Sequence, residues 1–170
     1  MNKTLCALGS VVLLGACSSM GMGEPAATAT LSAASGSEVR GNITFTQAGP
    51  NRVRVSGTVS GHTAGLKGFH IHEKGDCSAP DAMSAGGHFN PMKAKHGATP
   101  AAGHAGDMGN LSFNDFGSAT INMVLEGISV SGDAPNGIIG RAVVVHMQAD
   151  DLKTDPTGNA GGRAACGVIR

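Results

Sequence analysis

Between Gly68 and Asp107 the chain reads GFHIHEKGDCSAPDAMSAGGHFNPMKAKHGATPAAGHAGD, and this stretch holds five of the seven histidines. A sixth, His146, lies in VVVHMQADDL, which leaves only His62 outside the grouping. His70 and His72 are two apart, so on a strand both side chains leave the same face and can converge on one ion. Taken alone, such a pair is more often two satisfied surface or core groups. The residues downstream of the pair favour the metal. His88, His96 and His104 recur at eight-residue steps, with Asp107 three beyond the last. Three imidazoles and one carboxylate make a closed tetrahedral set of the kind that holds structural zinc. His70, His72 and His146 offer an all-nitrogen set with no thiolate in reach, which suits copper by ligand softness and by the Irving–Williams order.

These ligands need a rigid frame, and the pattern around them is that of strands. Val39, Gly41, Ile43 and Phe45 alternate onto one face, as do Val53, Val55, Gly57 and Val59, with Ala48-Gly49-Pro50-Asn51 as the turn of a hairpin. Residues 66–73 predict a further strand, 75–109 a long loop, and 110–116, 118–125, 127–131, 142–146 and 165–169 the rest of roughly eight. Short strands at this spacing predict a sandwich or barrel. A loop of over thirty residues without periodicity is unusual in a compact domain, and metal coordination supplies the ordering that burial cannot.

The 170 residues make one domain, with enough chain left after an N-terminal segment to bury a core. Trp and Tyr are absent, so that core rests on Val, Ile, Leu, Met and five Phe. The formal net charge is zero and no basic run occurs, which excludes a nucleic-acid binder.

Residues 1–16 combine an early lysine, an apolar run and small residues, the pattern of a secretory signal too short to stay in a bilayer. Leu14-Gly15-Ala16-Cys17 resembles the lipobox of bacterial lipoproteins, so Cys17 is the expected lipid anchor and the only expected contact with a membrane. Residues 17–28 then read as a flexible tether and 29–170 as the domain. Of the four cysteines, Cys6 leaves with the signal and Cys17 takes the lipid. The remaining pair, Cys77 and Cys166, predicts one disulfide in an exported protein, worth roughly 4 kcal/mol through its long loop.

Six segments together are specific: Gly68-Phe69-His70-Ile71-His72-Glu73, Gly87-His88-Phe89-Asn90-Pro91, Lys95-His96-Gly97, His104-Ala105-Gly106-Asp107, Gly140 to His146, and Gly158 to Ile169. In this order, and over almost all of residues 29–170, they resemble the copper/zinc superoxide dismutase family in its bacterial exported form. The resemblance implies an all-β fold, a flattened eight-stranded Greek-key barrel with two long functional loops. It implies that superoxide is the substrate, converted to oxygen and hydrogen peroxide by Cu(II)/Cu(I) cycling. Copper would be held by His70, His72, His88 and His146, and zinc by His88, His96, His104 and Asp107, with His88 shared and acting in catalysis. Arg163 would bind the small anion beside copper, Thr157 would face it across the channel, and Asp150 would join His70 to His96, with Asp151 as a decoy. Lys93, Lys95 and Lys153 are candidates for steering the anion. The setting would be antioxidant defence in the periplasm, by a monomer or homodimer.

Two departures stand out. Lys67 occupies the position where the family usually has a histidine that braces the site, and the segment from His146 to Arg163 is shorter than in animal cytosolic members. His62 matches no ligand and reads as a loop or strand-end residue. The rival class is a metal carrier or buffer without turnover. Such a module would be expected to lose a copper ligand or the arginine, and here the six histidines, Asp107 and Arg163 are all present.

Overall fold

The structure, a computed structural model, describes residues 26–170, so the expected signal and the expected anchor Cys17 lie outside the described residues. Eight strands succeed one another: β1 (Ala26–Ala33), β2 (Arg40–Gln47), β3 (Arg52–Ser60), β4 (Gly65–His72), β5 (Asp107–Phe113), β6 (Ser118–Glu126), β7 (Ala142–His146) and β8 (Arg163–Val168). Every pairing is antiparallel, in the order β5-β4-β7-β8-β1-β2-β3-β6, and the sheet curls into a nearly closed barrel. The fold is thus all-β, as the alternating pattern predicts.

The hairpin of β2 and β3 sets Gly41 opposite Val59, Ile43 opposite Gly57 and Phe45 opposite Val55. Ile43, Phe45, Val53, Val55 and Val59 therefore all point inward and are buried, alongside Leu31, Phe69, Ile71, Ile121 and Val143. This apolar face is what closes the barrel, since only closure removes it from water without leaving open sheet edges. β4 and β7 depart from simple alternation. Both have a strand on either side and loops on their outer face, so Phe69 to His72 and Ala142 to His146 are buried.

Three sequence expectations need correction. β1 begins at Ala26, because Ala27, Ala29 and Leu31 alternate into the core, so strand structure reaches into the stretch expected as tether. Residues 127–131 form no strand. Ile128 and Val130 do point inward, but Gly127 donates to Asn51 O and Val130 to Gln47 Oε1, so the segment caps a barrel end without joining a ladder. The long loop also carries a short 3-10 helix, Met83–Ala85, and ends at Asp107, which belongs to β5.

Candidate metal centre

β4 carries His70 and His72, β7 ends on His146, and Asp107 opens β5 opposite His70. The long loop brings the others by borrowing β4 as a template. Phe89 N donates to Ile71 O and Ile71 N to Gly106 O, each at 2.8 Å, which sets His88 beside His72 and draws in His96 and His104. All six imidazoles and Asp107 are buried.

Hydrogen bonding fixes which nitrogen of each ring carries hydrogen, because a carboxylate or carbonyl oxygen can only accept. His72 donates from Nδ1 to Gly86 O at 2.9 Å and His146 from Nδ1 to Gly161 O at 3.2 Å. Their Nε2 atoms, both left with lone pairs, lie 3.3 Å apart. His70 donates from Nε2 to Asp150 at 2.7 Å, and its buried Nδ1 has no hydrogen-bond partner. His88 Nε2 is buried without a partner as well. These four rings form one group whose ligand atoms all lie within 4.8 Å of one another.

The second group is tied by Asp107. Its Oδ1 lies 3.0 Å from His88 Nδ1, 3.1 Å from His96 Nδ1 and 3.4 Å from His104 Nδ1. His96 Nε2 lies 2.9 Å from Asp150 Oδ1 and His104 Nε2 3.5 Å from Asp155 Oδ1, so each of these rings stands between two carboxylates. Three imidazole nitrogens thus converge on one carboxylate oxygen. Around a tetrahedral zinc with bonds near 2.0–2.1 Å, ligand atoms would sit about 3.3 Å apart, which the observed spacings bracket. His88 belongs to both groups, Nδ1 in one and Nε2 in the other.

Burial keeps the lone pairs of His70, His72 and His146 free of protons. It lowers the His70 pKa to about 4 and that of His146 to about 3, and holds His72 well below the ordinary imidazole value. Burial alone would raise the carboxyl of Asp150, but the hydrogen bonds from His70 and His96 outweigh it and bring the pKa down to about 2. Asp150 thereby joins one ring of each group. Gly158, at φ +62°, packs over that carboxylate where any side chain would collide with it. Asp151 stays in its own loop, accepting from Thr154 and Asn159.

β8 begins with Arg163, directly across the ladder from His146. Its guanidinium donates to Ala82 O at 2.6 Å and Gly86 O at 2.5 Å, so it is held by two carbonyls of the long loop. Gly86 O also accepts from His72, a coupling that no spacing in the sequence signals. Arg163 and Thr157 line a cleft of about 390 Å³ that reaches His72, His88 and His146, and no lysine is among the lining residues. Lys67 Nζ donates to Met147 O at 3.2 Å. His62, just beyond β3, donates to His146 O at 3.1 Å. Cys77 and Cys166 form the disulfide, with Cα atoms 5.7 Å apart, and so tie the long loop to β8.

Comparison with known proteins agrees with this geometry. The sequence model of the copper/zinc superoxide dismutase family matches residues 39–169. The chain is 49% identical over 138 residues to superoxide dismutase [Cu-Zn] 2 of Brassica juncea, covering 77% of this chain and 89% of that protein. It is also similar to the crystal structure of the clock protein EA4, at a TM-score of 0.75 and 48% identity over 86% of this chain and 94% of the other.

Proposed function

The chain belongs to the copper/zinc superoxide dismutase family and is an oxidoreductase of that class; from that premise we propose that one copper and one zinc are held on the two sides of a single imidazole, that of His88. Copper would take His70, His72, His88 and His146, and zinc His88, His96, His104 and Asp107. The observation that carries this is the pair of buried, unpartnered nitrogens, His70 Nδ1 and His88 Nε2. An unpaired polar atom in a dry interior costs about 1–3 kcal/mol unless something meets it, and a cation meets both.

When bound, copper supplies one-electron redox chemistry and zinc a fixed positive charge. The protein contributes the rest. Arg163, fixed on Ala82 O and Gly86 O, presents a charge at the cleft wall that draws a small anion in and orients it. His88 is the ring suited to carry a proton at Nε2, since its Nδ1 is tied into the Asp107 group while Nε2 has no protein partner. Asp150 holds His70 and His96 at a common separation, so neither ring is free to turn.

The test is the dismutation rate of protein loaded with one copper and one zinc per chain, beside Arg163→Ala. The variant should keep both metals and lose about tenfold in rate at low salt, the low end of what a focused local field adds to an on-rate. Full activity in the variant would remove Arg163 from this role. Negligible turnover of the metal-loaded parent would instead make the site a carrier or store.

The enzyme is further proposed to work in a bacterial cell envelope, held by a lipid on Cys17, as antioxidant defence. The support is the leader-like residues 1–16 ending at Cys17, and a disulfide of the kind that persists in oxidising compartments. Cells fed a tagged fatty acid should label the parent and not Cys17→Ser; equal labelling of both would exclude this anchor.

A further inference from the structure

We propose that His62 is a positioning residue for the copper ligand His146, holding its main-chain carbonyl from outside the metal cluster. This rests on the reading that His146 binds copper. His146 is the last residue of β7, at the place where one neighbouring ladder ends and the other turns irregular. The pairing with β4 ends at Val145, and the pairing with β8 slips register between Val145 and His146. Main-chain bonds continue just beyond it, Met147 N donating to Gly162 O and Gly68 N to Gln148 O, each at 2.8 Å, and two side chains add to them. His62 Nε2 donates to His146 O at 3.1 Å, and Lys67 Nζ donates to Met147 O at 3.2 Å.

The geometry around His62 suits a brace. Because a carbonyl can only accept, His62 carries its hydrogen on Nε2, which leaves Nδ1 to accept from Thr63 Oγ1 at 3.3 Å. Its ring packs on Phe113 with centroids 5.0 Å apart. It belongs to neither metal group, and its outer side borders a separate cleft with Glu38 and Met147. The His146 ring is itself oriented by one bond, from Nδ1 to Gly161 O. Any shift of its backbone is therefore carried to Nε2, the atom that faces the copper group, and such sites tolerate only about half an ångström.

The experiment compares His62→Phe, which keeps the ring against Phe113 and removes the donor, with His62→Gln, which restores a side-chain N–H. On zinc-loaded protein, copper(II) affinity is measured by competition and the bound ion by electron paramagnetic resonance. His62→Phe should weaken copper about tenfold, as loss of a partner behind a ligand does, and change the parallel hyperfine splitting while zinc content stays the same. His62→Gln should recover most of both. The inference is overturned if His62→Phe leaves affinity and spectrum unchanged, even with a lower melting temperature, or if His62→Gln departs as far as Phe. His146→Ala measured alongside separates the two readings. If it leaves the copper spectrum intact, the ligand assignment falls and this inference with it; if it alters the spectrum while His62→Phe does not, only this inference falls.

Discussion

Asp107→Ala is expected to strip the protein of zinc before copper, lowering zinc affinity by more than about 100-fold, beyond what loss of an outer partner of a ligand costs. Oδ1 of this carboxylate is the atom that His88, His96 and His104 all face. Oδ2 does a second task, accepting from Gly97 N at 2.9 Å and His104 N at 2.8 Å, so it also shapes the loop that presents the rings. Although burial alone would raise its carboxyl, the bonds from His88, Gly97 and His104 hold Asp107 below the usual carboxylate range. With the side chain gone, three imidazoles converge on nothing. Copper should be lost only partially, since His70, His72 and His146 keep their own bonds to Asp150, Gly86 and Gly161. Metal content after dialysis against a weak chelator checks this. Zinc retained at one per chain would refute the assignment of Asp107 to that ion.

The double substitution Cys77→Ala/Cys166→Ala should cost the metal-free protein about 4–5 kcal/mol, the chain-entropy value for a loop of this length. The two cysteines are 89 residues apart in sequence, so in the unfolded chain the bridge forbids many separations. A second effect is local. The bridge lies in a small cluster with Ala82, Ala85 and Val144, and Ala82 is one of the two residues whose carbonyls hold Arg163. Loosening that loop should therefore lower activity along with stability. Denaturant unfolding of both proteins under metal-free conditions measures the first effect, and a difference under about 1 kcal/mol would show that the loop is pinned by other means.

Much of this protein is written in short-range features of the sequence. Period-two runs such as Ile43-Phe45 and Val53-Val55 mark strands because successive side chains on extended backbone face opposite ways. Histidine spacing and the order of six segments identify the family, and counting cysteines leaves one pair to join. The same local signal misleads at 127–131, where Ile128 and Val130 alternate inward but the single bridge between them, Ser129 with Gly137, extends into no strand. Alternation reports burial, and burial is not pairing.

The identities of the chemical groups come from the sequence; their working atoms come from the tertiary structure. That His70 offers Nδ1 while His72 and His146 offer Nε2 depends on where the other nitrogen finds an acceptor. For His70 that acceptor is Asp150, 80 residues away in the chain. The grip of Arg163 on Ala82 and Gly86, and of His62 on His146, arises only once segments far apart in sequence are folded against the barrel. A residue type fixes what a side chain can bind. Which of its atoms remains free is decided by long-range hydrogen bonds, and those exist only after the barrel has closed.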